Sequence, residues 1–160
     1  MTAITKIAPN NLSYQLLETI AIVDQAAAGP TVVYKAVPVP GWANFATMVI
    51  GGLTMAGTSP DFTFELFGAN VAVTQPPDDG AIYELGGWDG ITTKTAAAAT
   101  RTVIDIGPTY AVDDTGSATV SDRYGIQAAL PPWLVYKYST TGGGAALEDY
   151  DATISVYWGK

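Results

Sequence analysis

Alternation of apolar and polar residues is the strongest signal along the chain, and it predicts β-strands. The clearest case is residues 61–67, where Phe62, Phe64 and Leu66 alternate with charged or hydroxyl side chains. Since successive side chains of a strand point to opposite faces, these three residues are expected to face a core. The same period, or a short apolar and β-branched run bounded by turn residues, predicts further strands at 16–23, 31–37, 42–54, 100–106 and 118–129. Residues 71–74 are expected to pair back onto 61–67 across a short glycine-containing turn.

The last thirty residues predict two more strands. Alternate positions from Leu134 to Tyr138 are apolar, and so are alternate positions from Ala152 to Trp158. A loop through the glycines at 142–144 separates them. We therefore predict a closing β-hairpin with a long connection, apolar on one face and mixed on the other, as expected of a sheet packed on a single side.

The number and spacing of these segments predict the fold class. Eight or so short strands are separated by Gly, Pro and Asp turns, and no segment has the caps and periodicity of an amphipathic helix. In residues 42–54 a helix is disfavoured by Gly51-Gly52 and by the β-branched content. We predict an all-β, single-domain β-sandwich, jelly-roll-like, over residues 14–160. Residues 1–13 are interpreted as an extended N-terminal arm or a first edge segment.

Composition restricts the partners. Charged residues make up 14% of the chain, against roughly 25% in typical soluble proteins, while 48% are hydrophobic. Such a surface suits burial against other proteins. The net charge of −8 and the lack of a basic cluster disfavour nucleic acid. The sequence has no basic start followed by an apolar leader, and it has no apolar run of about 18 residues. We therefore expect neither a secretory signal nor a membrane span, and we expect synthesis in a cytoplasm.

The chain contains no Cys and no His. Disulfides, thiolate metal sites, a Cys nucleophile and Ser-His triads are therefore excluded, and we expect neither a cofactor nor an enzyme. Two alternatives stay open. Groups of acidic residues could bind Ca²⁺, or a pair of carboxylates could hydrolyse glycosides. Turn formation and solvation of loops explain the presence of these acidic residues equally well. These groups are Asp78-Asp79, Asp113-Asp114 with Asp122, and Glu148-Asp149 with Asp151.

Aromatic residues provide another candidate surface. Trp42, Trp88, Trp133 and the tyrosines could form a platform on which sugar rings stack. Trp88 is flanked by glycines and is expected to be exposed, whereas the others are expected in the core or a subunit interface. A carbohydrate-binding module is therefore the alternative function.

The C-terminal region also carries a resemblance. Leu130-Pro131-Pro132 leads into a strand, Thr140-Thr141-Gly142 forms a loop, and residues 152–157 begin the final strand. This arrangement resembles the C-terminal ends of small virion proteins of tailed bacteriophages. The resemblance implies a non-enzymatic structural role, such as a capsid decoration (cement) protein. Such a protein binds the major capsid protein on the capsid exterior as an oligomer, often a homotrimer. Tail, collar and fibre-base components have the same kind of sequence, which is rich in Ala, Thr and Gly, poor in charge and all-β.

Four residues are the candidate partner contacts. Ile4, Lys6 and Ile7 lie in the N-terminal segment, which could add to a neighbouring subunit as a strand. Trp88 is the fourth. Deletion of residues 2–10 is expected to abolish attachment to the partner lattice and to leave the fold intact.

Overall fold

The computed structural model describes residues 5–7, 12–25, 31–57, 60–73, 76–78, 80–86, 90–93, 100–108, 121–141 and 147–160. The regular structure of these residues is entirely β, which confirms the predicted class. The strands are β1 (Thr5–Ile7), β2 (Leu12–Gln25), β3 (Thr31–Pro38), β4 (Phe45–Ala56), β5 (Asp61–Ala69), β6 (Tyr83–Glu84), β7 (Ile91–Thr93), β8 (Thr100–Gly107), β9 (Ser121–Gln127), β10 (Trp133–Thr141) and β11 (Glu148–Gly159).

The strands form two sheets that pack as a sandwich. The first sheet has the order β1-β2-β11-β4-β8-β9, and the second has the order β3-β10-β5-β6, with β7 also pairing with β5. Every pairing is antiparallel except that of β8 with β9.

The strand order is that of a jelly roll. We set aside β1 and β9 at the two ends of the first sheet and count β6 and β7 together, because both pair with β5. Eight strands remain, and their positions along the chain are 1-8-3-6 in one sheet and 2-7-4-5 in the other. This is the double Greek key of a jelly roll, as the sequence predicted.

Aromatic and aliphatic side chains from the facing sheets fill the core. Phe62, Phe64 and Leu66 are buried, as predicted from the alternation in β5. The ring of Phe62 stacks on Tyr138, with centroids 6.2 Å apart, and that of Phe64 stacks on Tyr136, at 6.0 Å. The first sheet covers these rings with its own inward-facing residues: Ile20, Met48, Ile50, Ile104, Ile106, Ile154, Val156 and Trp158.

The predicted closing hairpin is wrong. β10 and β11 are both strands with the expected apolar faces, but they belong to different sheets. β10 lies between β3 and β5, and β11 lies between β2 and β4. The two apolar faces therefore meet across the core. Alternation determines which face of a strand is buried, and it carries no information about which strand lies beside it.

Two further details differ from the expectations. β5 continues through Ala69, and residues 71–73 are not part of a strand, so the predicted pairing of 71–74 with β5 is wrong. β6 and β7 pair with β5 instead. Residues 1–13 contribute an edge strand, because Thr5–Ile7 pairs with the first three residues of β2.

Candidate functional site

A groove opens between the two sheets where β2 lies near β3. Its volume is about 400 Å³, within the range of small-molecule sites. Residues of β2, β3 and β10 line it, including Gln15, Leu17, Lys35, Val37, Trp133 and Tyr136. The amide of Gln15 is held in place because its Oε1 accepts a 3.4 Å hydrogen bond from Nε1 of the buried Trp158.

Glu18 connects the two sheets beside this groove. Its carboxylate accepts hydrogen bonds from the hydroxyls of Tyr136, at 3.0 Å, and Tyr138, at 3.2 Å. Nζ of Lys35 lies 2.8 Å from Oε1 of Glu18. Glu18 belongs to β2, whereas the three donors belong to β3 and β10 in the other sheet. We call these four residues the sheet-bridging cluster.

The spacing of the tyrosines explains how the cluster forms. Tyr136 and Tyr138 are two residues apart in a strand, so both side chains point into the sandwich. Their rings are buried against phenylalanines, and only the hydroxyl at the end of each ring requires a polar partner. Glu18 supplies that partner from the opposite sheet.

The protonation of the cluster favours a structural role. Burial raises the pKa of Tyr136, and the nearby Glu18 carboxylate raises it further. Burial and Glu18 raise the pKa of Tyr138 in the same way. Both hydroxyls therefore remain protonated donors at neutral pH and cannot serve as bases. A carboxylate held by three donors is arranged as a sheet-to-sheet tie, and the geometry supports no proton-transfer step.

The outer face of the first sheet is a second candidate surface. Tyr14, Tyr157, Thr47 and Asp105 lie side by side on four adjacent strands. The two tyrosine rings are in contact, with centroids 5.1 Å apart. Asp105 is buried, and its carboxylate accepts bonds of 2.6 Å from both Oγ1 of Thr47 and Nε of Arg123. The charge of Asp105 is therefore neutralised within the sheet.

The adjacent row on this face carries no charge. It consists of Leu16, Ser155, Val49 and Val103, again on four neighbouring strands. Together the two rows form a surface of aromatic, aliphatic and hydroxyl side chains. Five of the eight residues are partly exposed, whereas Asp105, Val49 and Ser155 are buried. We call it the first-sheet face.

The outer face of the second sheet is more polar. Nζ of Lys137 lies 2.5 Å from Oε2 of Glu65 and 5.7 Å from the centroid of the Tyr34 ring. Burial lowers the pKa of Lys137, but its contacts with Glu65 and Tyr34 outweigh this effect and raise the pKa overall. A fixed charge pair thus lies in the middle of that face, which makes it less suited to burial against a partner than the first-sheet face.

Of the four predicted partner-binding residues, the structure describes the backbone of two. Lys6 and Ile7 belong to β1, where they pair by backbone with Ser13 and Leu12. Ile4 and Trp88 lie outside the described residues. The proposal that this segment binds a neighbour therefore stays a prediction.

The other tryptophans occupy three different environments. Trp158 is fully buried in the core, Trp42 is 41% exposed, and Trp133 lines the groove while half-buried. Of the residues considered for sugar stacking, Trp133 and Tyr136 are among those that the described structure brings beside a groove.

The acidic residues considered for Ca²⁺ binding do not form a cluster within the described part of the chain. Asp79, Asp113 and Asp114 lie outside the described residues, as does the side chain of Asp122. Glu148 is buried, whereas Asp149 accepts a bond from the backbone N–H of Asp24. Within the described part of the chain, no group of three or more acidic side chains is placed to hold a metal ion.

Sequence reasoning missed the sheet-bridging cluster. Glu18 interrupts the apolar run 16–23, and Lys35 occupies an inward position of β3. A charge inside an otherwise apolar strand was a usable signal for a buried partner. The tyrosines that satisfy Glu18 lie 118 and 120 residues further along, so pattern alone could not identify them.

Comparison with known protein families, with functionally described proteins and with solved structures gives no significant match to this chain. No helix long and apolar enough to cross a bilayer occurs among the residues described above.

Proposed function

We propose that this protein is a non-enzymatic structural component of a virion, and that it decorates the capsid exterior by binding the major capsid protein. The observation that carries the proposal is the first-sheet face. It presents two rows of aromatic, aliphatic and hydroxyl side chains across four strands, in which Asp105 is the one charged member, and the buried carboxylate of Asp105 is paired with the exposed Arg123 at the margin. Surfaces of low charge with aromatic residues are typical of interface cores.

Two further features support the proposal. The jelly-roll order is common among viral structural proteins, although folds of this class serve many functions and the fold alone does not determine one. The segments that carry the resemblance to phage virion proteins also lie at structurally important positions. Leu130-Pro131-Pro132 immediately precedes β10, and residues 152–157 lie in β11, where Ala152, Ile154 and Val156 are buried in the core. The resemblance therefore concerns elements that hold the sandwich together.

Co-sedimentation with capsids that lack this protein tests the proposal. We expect the wild-type chain to sediment with assembled capsids and not to bind the unassembled capsid protein. Thr153→Arg places a charge at an exposed position of β11 on the same side as the first-sheet face, and should reduce binding at least tenfold. Val32→Arg, at a 46% exposed position of β3, is the matched control and should bind normally. Absence of wild-type binding, or equal binding by both variants, would contradict the proposal.

The oligomeric state is part of the proposal. The resemblance implies a homo-oligomer, with a trimer favoured. Light scattering of the purified protein, with and without a chelator, should give a multiple of 16.7 kDa that survives chelation. A mass that falls on chelation would instead assign Ca²⁺ a role in assembly.

A carbohydrate-binding function is the second candidate, and the groove favours it. Trp133 provides an aromatic surface, and the fixed amide of Gln15 provides a hydrogen-bonding group beside it. Sugar recognition requires both kinds of contact. A glycan screen should then identify a ligand whose binding is lost in Trp133→Ala and retained in Trp42→Ala. If Trp88→Ala abolished binding instead, the site would lie on the loop first predicted from the sequence.

A further inference from the structure

The edge of β2 is longer than the strand that covers it. β2 contains 14 residues, and β11 pairs with it from Ser13 to Gln25 on one side. On the other side, β1 pairs only with residues 12–14. Within the described residues, therefore, no strand pairs with this side of residues 15–23. An edge of this length offers backbone donors and acceptors to another chain.

The side chains along this edge fit a second copy of the same chain. From Thr19 to Val23 the sequence carries no charge, in a chain with 15 acidic and 7 basic residues. Thr19, Ala21 and Val23 are exposed on the outer face, Val23 at 72%. The residues that usually protect an edge from pairing, Lys and Pro, do not occur between 19 and 23. Two copies can therefore approach here without the repulsion that their net charge of −8 causes elsewhere.

We propose that β2 pairs antiparallel with β2 of a second copy across a two-fold axis, so that two six-stranded sheets become one. The ladder of β2 with β11 is regular from Glu18 to Ile22, between irregularities at Leu17 and beyond Ile22, and this regular stretch is centred on Ile20. Pairing centred there involves none of the β2 residues that pair with β1. It places Thr19 opposite the partner's Ala21, and Glu18 opposite the partner's Ile22. The two Glu18 carboxylates are then not directly opposed, which avoids the repulsion of like charges across strands.

The same contact would lie beside the groove. The space between β2 and β3 opens at this edge of the sandwich, so a second β2 would lie at the mouth of the groove. This contact is independent of the proposed function. Since it is isologous, it generates dimers or assemblies of dimers in place of the trimer that the resemblance implies.

Introduced cysteines test the register. The chain has no cysteine of its own, so any disulfide identifies the introduced pair. Opposed Cα atoms of antiparallel strands lie about 4.5–5.5 Å apart, within the span of a disulfide. A mixture of Thr19→Cys and Ala21→Cys proteins should form at least five times more disulfide-linked dimer than either protein alone. Gln127→Cys, at the exposed opposite edge of the sheet, is the control and should form none.

Solution mass provides the second measurement. Light scattering should give about twice 16.7 kDa, or an even multiple of 16.7 kDa, for the wild-type chain. The double variant Ala21→Lys/Val23→Lys should give a monomer with an unchanged circular dichroism spectrum, because both positions are exposed. A wild-type monomer, a trimer, or a mixture without enhanced cross-linking would overturn the β2 pairing. Capsid binding is measured separately, so capsid decoration and the β2 pairing can each fail while the other stands. Only the isolated trimer that the resemblance favours is incompatible with the β2 pairing.

Discussion

Removal of the carboxylate from the sheet-bridging cluster should be among the most destabilising single changes in this chain. Glu18→Ala deletes the acceptor of two tyrosine hydroxyls and one ammonium. The ammonium of Lys35 is 42% exposed and can return to water, so its loss contributes at most about 1 kcal/mol. The two hydroxyls are buried, and leaving each without its charged acceptor costs about 1.5–3 kcal/mol. We therefore expect the free energy of unfolding to fall by about 3–6 kcal/mol, which lowers Tm by roughly 10–20 °C.

Urea unfolding followed by tryptophan fluorescence measures this effect, since the fully buried Trp158 changes environment when the core opens. The decisive control is the same substitution in a Tyr136→Phe/Tyr138→Phe background. With no hydroxyl left unsatisfied, Glu18→Ala should there cost no more than about 1 kcal/mol. If the cost is equal in both backgrounds, or is below 1 kcal/mol in the wild-type chain, the cluster does not tie the sheets together as argued.

Three other predictions concern pH, packing and the first-sheet face. The two tyrosines of the sheet-bridging cluster have raised pKa values in the folded protein, because burial and Glu18 disfavour their ionised form. The stability that they contribute is therefore complete below pH 10, the pKa in the unfolded chain, and should fall as the pH rises above 10. An unfolding free energy that stays constant from pH 9 to 11.5 in urea titrations would contradict this. Gly159→Ala would place a Cβ 1.9 Å from Cζ of Phe45, so the half-buried ring must move and the change should cost about 1–3 kcal/mol in urea unfolding, whereas Gly41→Ala, with no atom within 4 Å of its Cβ, should be almost neutral. Arg123→Met leaves the buried carboxylate of Asp105 without its cation and should lower the unfolding free energy by about 1–3 kcal/mol at pH 7, an effect that Asp105→Asn in the same chain should largely remove.

The strands themselves could be identified from sequence because each pattern is local. The alternation in 61–67 correctly assigned the buried face of β5, and the β-branched content of 42–54 correctly indicated β4 instead of a helix. For most of these strands, the predicted and observed boundaries differ by a few residues. β2 differed most, since it runs from Leu12 to Gln25, where the apolar run suggested only 16–23.

Pairing was where local reasoning failed. Two adjacent strands with buried faces can lie side by side in one sheet or face each other across a core, and their alternation is identical in the two cases. The closing strands took the second arrangement, because each was placed between partners from the first half of the chain. The jelly-roll order is a property of all eight strands together, and a single hairpin judged by itself does not reveal it.

The sequence by itself thus determined an all-β chain, the buried face of its principal strands, and the absence of histidine and cysteine chemistry. These features depend on the period of the side chains and on residue types, both of which are local. Only the tertiary structure decided that Glu18 meets tyrosines 118 and 120 residues away, that β2 keeps a long edge outside β1, and that two rows of side chains from four strands form one face. The physical reason is that these features arise from contacts between distant segments, and those contacts exist only after the whole chain has chosen the order of its strands.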